Sequence, residues 1–70
     1  MKKGDQVPVT FKCGANTVVI LCKVYAVREN KGFDIEEKNT DGKRLRFGES
    51  GVCLNEGISS GDIFVDLKNL

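Results

Sequence analysis

Apolar and polar residues alternate with a period of two in several short segments, which is typical of half-buried β-strands. Segments rich in turn-forming residues, each containing a glycine, separate these runs. The candidate strands are Val7–Lys12, Thr17–Glu29, Phe33–Lys38 and Lys43–Phe47. Pro8 has no backbone N–H, so we expect the first strand to lie at an edge or to have an exposed side. The pattern predicts a four-strand antiparallel meander.

The segment Asp62–Leu67 is compatible with two structures. As a strand it places Ile63, Val65 and Leu67 on one face, and as a helix it groups Ile63, Phe64, Leu67 and Leu70. Isoleucine, phenylalanine and valine favour strands, so we prefer the strand. The whole chain is then an all-β protein, a small five-stranded antiparallel meander or barrel.

The register of each hairpin follows from the length of its turn. A turn at 13–16 places Phe11 opposite Val18, Val9 opposite Ile20 and Val7 opposite Cys22, which makes one apolar face. A four-residue turn at 29–32 then places Arg28 opposite Phe33 and Ala26 opposite Ile35.

A three-residue loop at 40–42 joins the third and fourth strands, because a two-residue loop would place Ile35 and Phe47 on opposite faces. Gly42 would take the left-handed position that such a loop requires. The predicted pairs are Ile35 with Phe47, Glu36 with Arg46, Glu37 with Leu45, and Lys38 with Arg44.

Two short motifs resemble those of known small barrels. Gly4–Val9 is similar to the G-D-x-V-x-V opening of KOW and Tudor-type domains, and Asp41–Phe47 resembles the later hairpin of Tudor-like domains. The resemblance implies an SH3-like barrel. Tudor domains also imply an aromatic cage and KOW domains a basic RNA-contacting turn. This chain has one tyrosine, Tyr25, no tryptophan and a net charge of +1, so function is left open.

Composition excludes several function classes. Seventy residues predict a single domain, 1–70, and the absence of histidine removes histidine-based catalysis and histidine metal ligands. Three cysteines without a C-x-x-C motif predict free thiols, of which Cys13 is the most reactive, although a Cys13–Cys53 bridge is possible. We expect no enzyme activity, no cofactor and no bound metal.

The chain start has no long apolar stretch behind Lys3, and the longest apolar run is only Val18–Cys22. Neither a signal peptide nor a membrane helix is therefore expected. Together with the unpaired cysteines, this favours a cytoplasmic protein.

Two sets of residues are candidate binding sites. The first is basic and would contact phosphate groups; it comprises Arg28, Lys31, Lys38, Lys43, Arg44 and Arg46. Alternatively, these residues form a solvated hairpin whose charges are balanced by Asp34, Glu36 and Glu37. The second set is apolar and lies on the strand face opposite Ile20 and Val24; it comprises Val19, Leu21, Tyr25 and Val27. Either the C-terminal segment covers this face, or the face meets another protein or a second copy.

The leading interpretation is a non-catalytic binding module that acts by protein–protein contact, as a regulator or inhibitor of a larger assembly. The nearly neutral charge favours it over a nucleic-acid-binding barrel that uses the basic hairpin. A third possibility is a structural subunit that oligomerises through its strand edges.

Overall fold

Five antiparallel strands form one strongly curled, half-barrel sheet in the computed structural model, which describes residues 1–59 and 61–67. The strands are β1 (Gln6–Cys13), β2 (Asn16–Val27), β3 (Phe33–Lys38), β4 (Arg44–Phe47) and β5 (Ile63–Val65). Their order in the sheet is β4-β3-β2-β1-β5. The predicted all-β meander with a fifth strand is confirmed. Within 62–67 the strand is correct, and the predicted role of Leu70 lies outside the described residues.

The first hairpin has the predicted register. Val7 pairs with Cys22, Val9 with Ile20 and Phe11 with Val18. Pairing continues to the end of both strands, so that the turn is formed by residues 14–15 and not by the predicted four residues 13–16. On the other side of β1, β5 pairs with residues 9–11 alone. Pro8 therefore lies just beyond the end of β5, where a missing N–H leaves no ladder hydrogen bond unmade.

The second hairpin differs from the prediction by one residue. Phe33 pairs with Val27 and not with Arg28. The turn is a three-residue loop in which the N–H of Arg28 donates to the carbonyl of Gly32 (2.7 Å). Lys31, with φ of 69°, occupies the left-handed position that glycine usually takes.

A β-bulge in β2 adds a second shift to this hairpin. The register changes between Val24 and Ala26, so that Ile35 pairs with Val24 and not with Ala26 as predicted. Tyr25 is the residue between them, and a bulge of this kind increases the local bend of the strand.

The third hairpin has the predicted loop but not the predicted pairing along its whole length. The N–H of Asn39 donates to Lys43, and Gly42 has φ of 82°, as expected for a three-residue loop at 40–42. Lys38 pairs with Arg44, as predicted.

Further along the same hairpin, the register shifts between Asp34 and Lys38. Phe47 therefore pairs with Phe33 instead of Ile35, and Arg46 pairs with Asp34 instead of Glu36. The predicted Glu37–Leu45 pair falls inside this irregular segment. Ile35 and Phe47 still share the inner face of the sheet, where both side chains are fully buried.

The core lies on the concave side of the curled sheet. Phe33 and Phe47 stack at its centre, with ring centroids 5.2 Å apart. The buried apolar residues are Val7, Val9, Cys22, Val24, Phe33, Ile35, Leu45, Phe47, Cys53 and Val65. They come from all five strands and from the segment before β5, so the core depends on the curl of the sheet.

The segment 51–55 connects the outer edge of β4 to β5. Cys53 makes an isolated antiparallel backbone pair with Phe47, and Val52 makes one with Phe64. Gly51 accepts a hydrogen bond from the N–H of Val65 (2.9 Å). Its φ is 89°, and a Cβ at this position would overlap the carbonyl oxygen of Val65. Only glycine fits here without displacing β5.

Asn55 completes this edge with its side chain. Its amide oxygen accepts from the N–H of Arg46 (2.8 Å), and its amide nitrogen donates to the carbonyl of Arg44 (3.1 Å). The N–H of Leu54 also donates to Arg46 (2.8 Å). The backbone groups that β4 turns outward are thus hydrogen-bonded, as they would be beside another strand. Within the described ranges, no helix has the length and apolar character needed to cross a bilayer.

Candidate functional site

The first half of β2 exposes apolar side chains on both of its faces. The exposed fractions are 51% for Val18, 61% for Val19, 46% for Ile20 and 63% for Leu21. We call these four residues, Val18–Leu21, the β2 arm. The predicted interface residues Val19 and Leu21 belong to it. So do Val18 and Ile20, which the sequence pattern wrongly assigned to the buried face.

The neighbouring strands explain this exposure. β3 pairs with β2 only from Val24 onward, so no described strand pairs with residues 17–21 on this side. For Val19 and Leu21, the expectation that the C-terminal segment covers the apolar face is wrong within the described residues 61–67, because β5 lies on the far side of β1. At the other end of the face, Leu67 lines the same groove as Val27. The β2 arm is a part of the first hairpin that extends beyond the core.

The backbone of the β2 arm also has an open edge. The N–H of Val24 donates to Asp5 (2.7 Å), and its carbonyl accepts from Gly4 (2.9 Å), so Val24 directs its backbone toward β1. Alternate residues of a strand direct their backbone groups to opposite sides. Thr17, Val19 and Leu21 therefore direct theirs away from β1, to an edge along which no described strand pairs.

The other two predicted interface residues lie elsewhere. Tyr25 is the exposed residue of the bulge, but its ring is stacked under Arg44, whose guanidinium carbon is 3.8 Å from the ring centroid. Val27 borders a separate groove with Phe33 and Lys31. The structure therefore divides the predicted apolar surface, and only Val19 and Leu21 remain together.

The predicted basic residues only partly come together. An open groove of about 640 Å³ has a mixed-charge lining, namely Tyr25, Asp34, Asp41, Gly42, Lys43, Arg44, Arg46, Leu54, Asn55 and Glu56. The lining contains three basic and three acidic side chains, so the groove does not present a uniform positive field. Of the other predicted residues, Arg28, Lys31 and Lys38 do not line it.

Asp34 neutralises part of the basic set. Its Oδ1 lies 2.5 Å from Arg28 and 3.5 Å from Nε of Arg46. The sequence interpretation assigned Glu36 to Arg46, and the register shift in β3 is the reason that Asp34 takes this place. Arg44 retains an unused donor, because its buried Nε has no hydrogen-bond partner.

Sequence reasoning missed Asn55, which holds β4 in place at the rim of this groove. An asparagine in a glycine-rich segment is usually a turn residue, and nothing in the local pattern indicates a strand-capping amide. The only signal is its position directly after the short apolar run Val52–Leu54.

The three thiols are free, as predicted: Cys13 is exposed, and Cys22 and Cys53 are buried. The alternative Cys13–Cys53 bridge is therefore not formed. Burial, with a hydrogen bond to Glu37 and its negative charge as smaller causes, raises the pKa of Cys22 from 9.0 to about 12. Among these thiols, only Cys13 is accessible for reaction.

Among the described residues, no group of three cysteine or acidic side chains lies close enough to hold a metal ion. Comparison of the chain with protein-family models, curated proteins and solved structures finds no match. Function is therefore inferred from two surfaces, the apolar β2 arm and the mixed-charge groove.

Proposed function

We propose that this protein is a small, non-catalytic binding module that acts by protein–protein contact through the β2 arm, in the role of a regulator or inhibitor of a larger assembly. The observation that carries the proposal is a run of four consecutive apolar residues, each roughly half exposed, in a regular strand. Contiguous exposed apolar surface of this kind marks interaction sites.

The expected contribution of this surface is sufficient for binding. Full burial of one valine, leucine or isoleucine side chain contributes about 1.5–3 kcal/mol, and roughly half of each side chain in the arm remains to be buried. Complete cover of the arm would thus contribute about 4 kcal/mol before the costs of association. The arm carries no charged residue, so this contribution depends little on salt.

A nucleic-acid-binding function is the second candidate, and the stacked Arg44–Tyr25 pair supports it, since cationic and aromatic groups together bind bases and phosphates. Against it, Asp34 already pairs with Arg28 and Arg46, and the net charge is +1. We therefore favour the protein partner.

Affinity capture from a lysate of the protein's own cells tests the proposal. Leu21→Glu should abolish capture, because a charge in the middle of an apolar contact is strongly unfavourable. Leu54→Glu is the matched control, since Leu54 is 55% exposed against 63% for Leu21 but lies in the groove. It should capture as the wild type does, and both variants should keep the wild-type circular dichroism spectrum.

Nuclease treatment and added salt separate the two candidates. Protein capture through the β2 arm should withstand both. Binding that disappears with nuclease, falls steeply with salt and is lost when Lys43, Arg44 and Arg46 are all replaced by serine would overturn the proposal in favour of nucleic acid.

A further inference from the structure

We infer that the open edge of the β2 arm pairs with the same edge of a second copy of this chain, forming a continuous antiparallel sheet across a two-fold axis. This inference rests on the proposed function, because it names the protein that the β2 arm contacts. It follows from three properties of the edge: its hydrogen-bonding pattern, its length and its lack of charge.

The hydrogen-bonding pattern is symmetric about Val19. Thr17, Val19 and Leu21 direct their N–H and C=O groups outward, and an antiparallel copy centred on Val19 would place Val19 opposite Val19 and Thr17 opposite Leu21. These are hydrogen-bonded pairs, so every outward group of the three residues would gain a partner. A register displaced by two residues in either direction would leave some of these groups unpaired.

The length of the open edge matches the segment that the centred register pairs, since residues 17–21 of one copy lie opposite residues 17–21 of the other. β3 pairs with β2 from Val24, where Ile35 lies opposite it. The tip residues Gly14 and Ala15 of the second copy would reach the level of Val24 and Lys23, so the tip has to turn aside from the end of β3. Strand pairing between the two copies is therefore confined to residues 17–21.

The lack of charge permits self-pairing. No charged residue lies between Asn16 and Cys22, and Lys23 would face Ala15, so no like charges oppose each other across the axis. Pairing also gives the exposed side chains lateral neighbours on both faces, with Val18 beside Ile20 on one and Val19 beside Val19 on the other. Self-pairing of this segment therefore meets no electrostatic penalty.

A charge-pair experiment tests the register directly. Val19→Glu and Val19→Lys should each weaken dimerisation at least about tenfold in sedimentation velocity, because two like charges meet at the axis. Mixing the two variants should restore a dimer, since Glu then faces Lys. The matched control is the mixture of Leu21→Glu with Leu21→Lys, which should stay monomeric because residue 21 faces residue 17. Circular dichroism and intermolecular nuclear Overhauser effects between Val19 methyl groups of two labelled copies complete the test.

Each outcome bears on the inference. A wild-type dimer with the predicted rescue supports it. A wild-type chain that sediments as a monomer throughout a dilution series overturns it, and so does a dimer that Val19→Glu leaves intact. In either case, capture from lysate that Leu21→Glu abolishes would still support the proposed function, so the failure of one can be told from the failure of the other.

Discussion

The two halves of β2 show opposite relations between sequence and packing. From Cys22 to Val24 the strand alternates regularly, with both of these residues buried and Lys23 between them exposed. In the β2 arm, apolar residues occupy both faces and none of them is buried. The core therefore explains Cys22 and Val24 but none of the apolar residues of the β2 arm. The described part of the chain does not cover the β2 arm, which is why we look for its function outside the monomer.

The largest expected difference between the two regions comes from one substitution made in each. Leu45→Ala, in β4, removes a buried side chain and should destabilise the protein by about 2–5 kcal/mol, because it leaves a cavity. Leu21→Ala should change stability by less than about 0.5 kcal/mol, because its side chain is exposed. Urea unfolding followed by circular dichroism measures both values. A large loss of monomer stability in Leu21→Ala would show that the arm is part of the core after all.

Two glycines with similar positive φ angles allow a packed site to be compared with an open one. Gly51 and Gly42 have φ of 89° and 82°, but only at Gly51 would a Cβ meet another part of the backbone. Gly51→Ala should destabilise by about 3 kcal/mol, the sum of conformational strain and displacement of β5. Gly42→Ala should cost only about 1 kcal/mol, from the strain alone.

Thermal or urea unfolding of the two glycine variants gives the comparison. In Gly51→Ala, hydrogen exchange should also become faster at the N–H of Val65, because that group donates to residue 51. Equal losses of stability in the two variants would mean that Val65 does not constrain Gly51, and that closure of the sheet by the segment 51–55 is weaker than described.

The cysteines provide a third comparison between the core and the exposed part of the molecule, with a smaller expected effect. Because the pKa of Cys22 rises from 9.0 to about 12 on folding, the unfolded thiol ionises first as the pH increases. Stability from this group is complete below pH 9.0 and falls between pH 9.0 and about 12. The slope is at most about 1.4 kcal/mol per pH unit. The difference in unfolding free energy between the wild type and Cys22→Ala, measured as a function of pH, isolates this contribution from that of the lysines.

Alkylation of the native protein reports the same difference kinetically. Iodoacetamide near pH 9 should modify Cys13 rapidly and leave Cys22 protected, because Cys22 is both buried and protonated. Mass spectrometry of the peptides gives the ratio. Equal modification at both positions would show that the boundary between arm and core opens readily.

Much of the fold could be predicted because it depends on local patterns. The alternation of apolar and polar residues predicted the strands correctly, and Gly42 predicted the length of the third loop. The predicted register of the second hairpin was wrong because Lys31 takes the left-handed position. In the sequence, the neighbouring Gly32 is the residue expected to take that position. Gly32 itself is needed for space, since a Cβ there would lie 2.9 Å from the carbonyl oxygen of Phe47. Sequence alone could not separate a glycine chosen for φ from one chosen for packing.

The candidate site was less predictable, because it depends on where strands stop. That Val19 and Leu21 are apolar and face away from β1's buried residues is visible in the alternation. Val18 and Ile20 are also exposed, and this follows only from the point along β2, Val24, at which pairing with β3 starts. The pairing of Asp34 with Arg46 depends on the irregular segment of β3, and no residue pattern marks that irregularity.

The side-chain amide of Asn55 has a consequence for how large an assembly of this chain can become. A sheet with two adhesive edges can add molecules at both ends without limit and grow into a filament. Here the segment 51–55 occupies the β4 edge, and the side chain of Asn55 hydrogen-bonds the backbone groups of β4 that another strand would otherwise use. Growth through the β2 arm would then end after one addition and give a finite particle. Replacing Asn55 would free the N–H of Arg46 and the carbonyl of Arg44 on this edge.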